Sequence, residues 1–556
     1  MTGNERIGHR WLVAHGILLA TAAVVLVLAN RGQWFFGDEW EFLVNRGLAG
    51  ARLGLFHPHN EHWSTLPILV FVTLRDTVGL ASYWPYIGVL ILVHLALTHL
   101  LWRVMLRARV SAPVATITAG LFGVLGVGSE NLLWAFQIGF IGAVALGWTA
   151  ALVVATDGRR LGPRDGWAVL LLLGALMCSG VGVPMVVVAA TAVWISSRSV
   201  WRPLVVGGVP AVVFLVWYEN GGRVSTQAGK PAHSLGALLS IVGSGLRHAV
   251  SATFWLPALV ATVLLVAGGI ACVWAGVRAV RQRRDADRAA LPLAGLAGVL
   301  AFCVMVALGR GDLGSSRYVY VIVALGLPAL ALAVATASRW RWVEAAVVVA
   351  VVVVAVHNVQ LLRTQASADR ARESWGRDVI ESAARLITQG APTVGVQPEP
   401  VYNPDISVAS LRTFVARNRL PTNATSPRGE LGARLFIQVA VVSPGAGPAS
   451  TPATIGASSG LAPAAGTGCL VPAAGATTSD VVVRIDGGVH ALWLRSEGPD
   501  GAQYGIELGS GPSAPPERVV VVPAGQEKEL VFDLPAGVPD LTVRPVTPGS
   551  SVCTTR

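Results

Sequence analysis

Apolar runs recur along this chain at roughly 11–29, 83–102, 111–129, 133–156, 167–179, 181–197, 203–217, 253–277, 289–309, 318–337 and 342–357. Several approach the ~20 residues a helix needs to cross a bilayer core. The pattern predicts a polytopic α-helical membrane protein with about eleven transmembrane helices. Composition agrees, with 53% hydrophobic residues, only 13% charged residues and a mean hydropathy of +0.59. A net charge of +11 would point a soluble chain toward nucleic acid. Here the arginines fall in short clusters between apolar runs, so they are read as topology signals and no nucleic-acid partner is expected.

The clusters are Arg103, Arg107 and Arg109; Arg159, Arg160 and Arg164; Arg198 and Arg202; Arg278, Arg281, Arg283, Arg284 and Arg288; and Arg339 and Arg341. All five are cytoplasmic at once if the N-terminus, with Arg6 and Arg10, is inside and the chain crosses eleven times. Residues 11–29 are then a retained first helix. Residues 64–78 must not cross, and 167–197 must be two short helices turning near Ser179-Gly180. The exterior receives residues 30–82, the turn at Glu130-Asn131, the loop 218–252, the turn Arg310 to Ser316 and everything after 357.

Polar residues concentrate on that side. Between Trp34 and Trp63 lie Asp38, Glu39 and Glu41, then His57-Pro58-His59-Asn60-Glu61-His62, in a chain with only 31 acids and 11 histidines. Asp38 follows Gly37, so a tight turn can hold its carboxylate at the membrane boundary as a general base; Glu39 is a second catalytic candidate. His57, His59, Asn60 and His62 offer sugar-binding or metal-ligating groups, but their spacing is not a zinc signature. Glu130, in the second outer turn, could hold a divalent cation (Mg, Mn or Ca) with Asp38 or cap the next helix; no cofactor is certain. Trp134 and Gln137 follow in the first turns of that helix. Outer arginines run against the positive-inside tendency, and binding a phosphate explains them. Arg310, Arg317 with Tyr318, and Arg247 with His248 are the candidates, with Lys230 in a Gly/Ser-rich loop that could close over a lipid. Aromatic-belt roles compete for Trp134 and Tyr318.

After 357 the composition shifts. Residues 366–389 carry helical spacing, and a second helix is expected from Asp405 to Arg417, capped by Asp405. The division expected is 1–357 transmembrane, 358–442 an α-containing connector, 443–464 a Pro/Gly/Ser-rich linker and 465–556 an antiparallel β-sandwich. Cys469 and Cys553 would bridge its ends in an oxidising exterior. Trp493 and Tyr504 are its few candidate glycan-contacting aromatics.

An acid-bearing first outer loop after the first helix, with juxtamembrane helices near 39–50 and 64–78, resembles the GT-C superfamily of membrane glycosyltransferases. Asp38, with Glu39 beside it, stands where the family carries its acid, Glu130 matches the second acid of metal-using members, and Arg317-Tyr318 or Arg247 would hold a polyprenyl phosphate. The resemblance implies an inverting transferase acting as a monomer in the plasma membrane. Its donor would be a polyprenyl-phosphate sugar, with arabinofuranose or mannose leading, and its acceptor an envelope glycan or glycolipid. It lacks an Asp-x-Asp in the second outer loop and a WWDYG-like segment. No P-loop, dinucleotide fingerprint or nucleophile elbow occurs. A lipid-linked saccharide flippase and a non-catalytic glycan-binding membrane protein are the alternatives.

Overall fold

The computed structural model describes residues 8–47, 53–156, 158–197, 199–223, 231–281, 286–337, 341–422, 426–464 and 467–555. The helices in chain order are α1 (His9–Ala29), α2 (Glu39–Val44), α3 (Thr65–Thr77), α4 (Trp84–Arg107), α5 (Ala112–Gly123), α6 (Glu130–Leu133), α7 (Ile138–Val154), α8 (Pro163–Leu176) and α9 (Gly182–Ser197). They continue as α10 (Trp201–Trp217), α11 (Leu235–Phe254), α12 (Ala258–Arg281), α13 (Ala286–Gly309), α14 (Ser316–Ala337), α15 (Arg341–Thr388), α16 (Val408–Ala416) and α17 (Pro427–Ile437). Among the described residues, eight helices are long and apolar enough to cross a membrane, and three shorter apolar ones accompany them. The chain is therefore a multi-pass membrane protein with a separate, largely β C-terminal region.

It divides into two compact units. The first comprises 1–33, 45–74 and 83–370; the second comprises 34–44, 75–82 and 371–556. Two pieces of the first polar loop thus fold with the C-terminal region, a division that apolar patterning alone does not suggest.

In the first unit, arginines from separate clusters meet at one end of the bundle. Arg107 donates to Ala155 O (3.2 Å), Arg288 to Ala108 O (3.2 Å) and Arg202 to Thr156 O (3.1 Å). Ala108 and Ala155 are the C-caps of α4 and α7, so these side chains satisfy carbonyls that helix ends leave orphaned. Arg202 is only 2% exposed. It also donates to Asp165 Oδ1 through two nitrogens (3.0 and 2.9 Å), while Asp165 Oδ2 accepts Gly162 N–H (2.9 Å).

At the other end, α11 replaces most of the loop expected over 218–252. Ala232 N–H, just before it, bonds Ala307 O (3.0 Å). At its middle, a Cβ on Gly245 would fall 2.5 Å from Leu313; near its end, Thr253 O accepts from Asn358 (3.1 Å). Asn358 Oδ1 in turn accepts Val127 N–H (3.2 Å). α11 and the residues just before it therefore contact the bundle at their start, middle and end. The expected helix 111–129 is shorter, and residues 124–137 form a broken re-entry built of α6 and two single 3₁₀ turns. α3 matches the juxtamembrane helix expected over 64–78, whereas α2 covers only the start of the one expected near 39–50.

α15 continues without a break through 366–389, joining two expected elements into one 48-residue helix. Ser407 caps α16, its hydroxyl accepting Ser410 N–H (3.1 Å). This corrects the assignment of the cap to Asp405, because the helix begins at Val408 and its cap lies two residues later than expected.

The β region holds β1 (Val439–Val442), β2 (Thr451–Pro452), β3 (Ile455–Ser459), β4 (Leu461–Ala464), β5 (Cys469–Pro472), β6 (Asp480–Val483), β7 (Val489–Ser496), β8 (Ala502–Leu508), β9 (Arg518–Val522), β10 (Glu527–Asp533), β11 (Leu541–Pro545) and β12 (Ser550–Cys553). One sheet runs β1-β10-β7-β12-β5-β4, with β2 beside β7; the other runs β3-β6-β11-β8-β9. Strands β2 to β4 fall in the stretch expected to be a linker, whose Pro/Gly content marks short strands and turns instead. The core between the sheets includes Val481, Leu492, Leu494, Ile506, Leu530 and Val543. Cys469 and Cys553 are directly paired in register on β5 and β12 and form a disulfide. Tyr504 is fully buried, its hydroxyl donating to Ser551 O (2.9 Å) and accepting Ser551 N–H (3.0 Å). It is a core residue, not an exposed glycan contact.

Candidate functional site

In the second unit, Gly37 adopts φ +57°, a left-handed conformation that favours glycine. The turn it makes delivers half-buried Asp38 to the start of α2. Glu39 is fully buried, and its carboxylate accepts Phe36 N–H (2.9 Å). That contact satisfies an orphan donor at the helix start and anchors the turn. Trp34 N–H donates to Glu373 Oε2 (2.7 Å), and Arg372 lies 4.0 Å over the Phe36 ring. Asn403 Oδ1 accepts both Gly37 N–H (3.2 Å) and Trp40 Nε1–H (2.9 Å). Its Nδ2 donates to Glu399 Oε2 (2.8 Å), a carboxylate that also accepts Tyr402 N–H (2.9 Å) and Val401 N–H (3.2 Å). Burial pushes the Glu399 carboxyl above its usual range despite those hydrogen bonds. Glu373, Glu399 and Asn403 carry no recognisable motif, so sequence reading misses them.

In the first unit, buried Arg46 donates to His57 O (2.6 Å), Pro58 O (2.8 Å) and Gly54 O (3.2 Å), fixing the histidine loop by its carbonyls. His59 and His62 exchange backbone hydrogen bonds (3.0 and 2.9 Å) around Asn60 at φ +50°. His57 is exposed, with Nδ1 2.9 Å from Pro58 O. His59 is buried edge-on to Phe136, its Nε2 3.2 Å from the Asn60 amide. His62 Nδ1 accepts Gly180 N–H (3.2 Å), which places the ring proton on Nε2. A Cβ on Gly180 would come 2.8 Å from that nitrogen, so only glycine permits the approach.

Glu61 pairs with Arg310, whose Nε lies 2.7 Å from Oε1 and whose second nitrogen reaches the same oxygen. Burial raises the Glu61 carboxyl, but His62 and Arg310 together outweigh it and hold it below the usual range. Burial is also the main cause that lowers His62, to about 4; Glu61 opposes it, and Arg310, His59 and Arg317 reinforce it.

Glu130 lies beside the turn before α14. Its N–H donates to Ser316 Oγ (3.1 Å), its carboxylate accepts Ser315 Oγ (3.4 Å), and Arg317 Nε stands 3.7 Å away. Arg317 also lies over the Tyr318 ring (5.4 Å) and Asn131 Nδ2 donates to Arg317 O (3.1 Å). Trp134 stacks on Phe136 (4.8 Å). Gln137 is fully buried, and neither end of its amide has a hydrogen-bond partner among the described residues. Among those residues no three His, Cys, Asp or Glu side chains gather as metal ligands. Asp38 and Glu130 belong to different units.

Arg247 and His248 are exposed on α11. They line a cavity of about 370 Å³ with Ser244, Ser251 and the Gly311–Gly314 turn, which carries Asp312. His248 and Ser251 also line a second cavity of about 520 Å³, walled by Trp255, Leu256, Pro257, His357 and Leu361. Trp255 stacks on His357 at 4.8 Å. The two cavities form one groove, polar at one end and apolar and aromatic at the other, with the basic pair at the polar end. No described residue pairs with Arg247 or His248, whereas Arg310 and Arg317 already face carboxylates. Lys230 lies outside the described residues.

No protein-family model matches the chain, and no curated protein matches it in sequence. Among solved structures, it is similar to ArnT from Cupriavidus metallidurans in the apo state, with 16% identity over 78% of this chain and 93% of that one and a TM-score of 0.48. The structure of that protein bound to undecaprenyl phosphate gives 16% identity over 79% and 94%, with a TM-score of 0.45.

Proposed function

We propose that the protein is an inverting glycosyltransferase that moves a sugar, arabinofuranose or mannose first among the choices, from a polyprenyl-phosphate donor to an envelope glycan or glycolipid. The observation that carries this reading is the groove on α11. Its polar end offers the Arg247 guanidinium and the His248 imidazole, neither paired among the described residues, to a phosphate, and its other end offers aromatic and aliphatic walls to a prenyl chain. Arg247 grips phosphate oxygens with paired hydrogen bonds and His248 adds a third donor. Arg317, only loosely tethered to Glu130, is the next phosphate contact. Asp38 takes the proton from the acceptor hydroxyl as its oxygen bonds to the anomeric carbon. The bond from that carbon to the phosphate oxygen breaks, and the electron pair leaves on the polyprenyl phosphate, whose charge Arg247 stabilises. One displacement inverts the centre, and the proton passes from Asp38 to solvent.

Glu39 anchors the turn, while His59, His62, Trp134 and Gln137 are assigned to the sugar; the reaction takes place on the outer face of the plasma membrane. The test is transfer by purified protein from a panel of polyprenyl-phosphate sugars, with and without a chelator, comparing Asp38→Asn with wild type. The expected result is lost transfer with retained lipid binding. Full transfer by Asp38→Asn would sink the base assignment, and lipid binding without transfer from any donor would favour a flippase.

A further inference from the structure

We propose that Asn403, backed by Glu399, is a positioning residue for the Asp38 turn, so that the region after the last span belongs to the catalytic apparatus; this rests on the reading of Asp38 as base. Asn403 is buried, and its single carbonyl oxygen takes hydrogen bonds from residues on both sides of Asp38, Gly37 (3.2 Å) and Trp40 (2.9 Å). The turn is gripped around its acid and not merely near it.

An isolated asparagine amide can face either way. Here the choice is made by Glu399, fully buried, which accepts the Nδ2 proton (2.8 Å). A flipped amide would set its oxygen against that carboxylate and its NH2 against two donors, leaving three buried groups unsatisfied. Glu399 is itself fixed by the Val401 and Tyr402 amides. α15 leaves room for the arrangement at Gly376, where a Cβ would stand 2.8 Å from Asn403 Nδ2. The chain of contacts runs from two backbone amides through Glu399 and Asn403 to the peptide that carries Asp38. A base must lie within about 2.6–3.2 Å of the proton it takes, and a displacement of about 1 Å can cost about 100-fold in rate. Asn403 supplies that tolerance without touching substrate.

The test uses the full chain in lipid nanodiscs, comparing wild type, Asn403→Ala, Asn403→Asp, the double variant Asn403→Asp with Glu399→Gln, and Asp38→Asn. Donors are polyprenyl-phosphate arabinofuranose and mannose, and hydrogen exchange is followed across residues 34–44. Asn403→Ala and Asn403→Asp are expected to lose about 10- to 100-fold in kcat with donor KM unchanged, and to exchange faster across 34–44. Asn403→Asp alone sets a second carboxylate against that of Glu399. Adding Glu399→Gln restores the bond with an amide donor on the other side, so the double variant regains part of the kcat. Wild-type kcat in Asn403→Ala, or lost kcat with unchanged exchange and no recovery in the double variant, would overturn the role. Full turnover by Asp38→Asn would instead overturn the base assignment and the role with it.

Discussion

Removing the buried arginine at the bundle end tests whether its side chain holds the fold. In Arg202→Ala, Asp165 keeps a carboxylate that is buried with its partner gone, and the carbonyls of Val154 (3.2 Å), Thr156 (3.1 Å) and Gly158 (2.5 Å) lose their common donor. Breaking one side of a buried pair costs about 3–5 kcal/mol. Asp165→Asn is milder, about 1–2 kcal/mol, because the guanidinium keeps its carbonyl partners and the amide oxygen still accepts. Arg202→Lys falls between them, since one ammonium cannot span a carboxylate and three carbonyls. Trypsin added to the detergent-solubilised protein reads the difference at the exposed Arg159-Arg160 pair. Cleavage through local opening should rise about 100-fold or more in Arg202→Ala. An Arg202→Ala rate within about fivefold of wild type, or Asp165→Asn as the faster-cut variant, would refute the reasoning.

Three further expectations follow from the same geometry. The lowered values of His62 and Glu61 both weaken the fold in acid. Between pH 6.5 and about 4 the unfolded chain takes up the His62 proton and the native one does not, costing about 1.4 kcal/mol per pH unit, and the Glu61 contribution is lost as pH falls further. Thermal unfolding in detergent should show that slope, and His62→Gln should flatten it above pH 4.5. Arg247→Ala should weaken polyprenyl-phosphate binding by about 10- to 100-fold, equivalent to about 1.5–3 kcal/mol for a charged hydrogen bond, read by calorimetry. Cys469→Ser with Cys553→Ser opens a link across 84 residues and should destabilise the β region by about 3–5 kcal/mol in the chain-entropy model, measured by denaturant unfolding.

The membrane class, the short strands and the Gly37 turn are legible because each is a local pattern: an apolar run, an alternation, a residue suited to positive φ. α11 is not, because its glycines, serines and Arg247-His248 interrupt its apolar residues. Reading it as a loop still singles out Arg247 and His248, but leaves the groove unseen. Arginine clustering draws attention to the helix ends that Arg107, Arg202 and Arg288 join; it does not reveal that Arg202 is a buried clamp. Tyr504 sits in an alternating strand, and alternation alone does not say which face is the core. The partners of the Asp38 turn lie beyond any sequence window, since Gly37 and Asn403 are 366 residues apart.

That separation also has a time. At about 5–20 residues per second, the ribosome finishes Asn403 about 20–70 s after Gly37. Throughout that interval Trp34, Phe35 and Trp40 must stand without the structure that buries them, while span after span is inserted. The Asp38 turn is therefore made early and completed only after the transmembrane helices have been synthesised. A chain stalled or truncated after its last span would carry every transmembrane helix and still display an unfinished, adhesive loop.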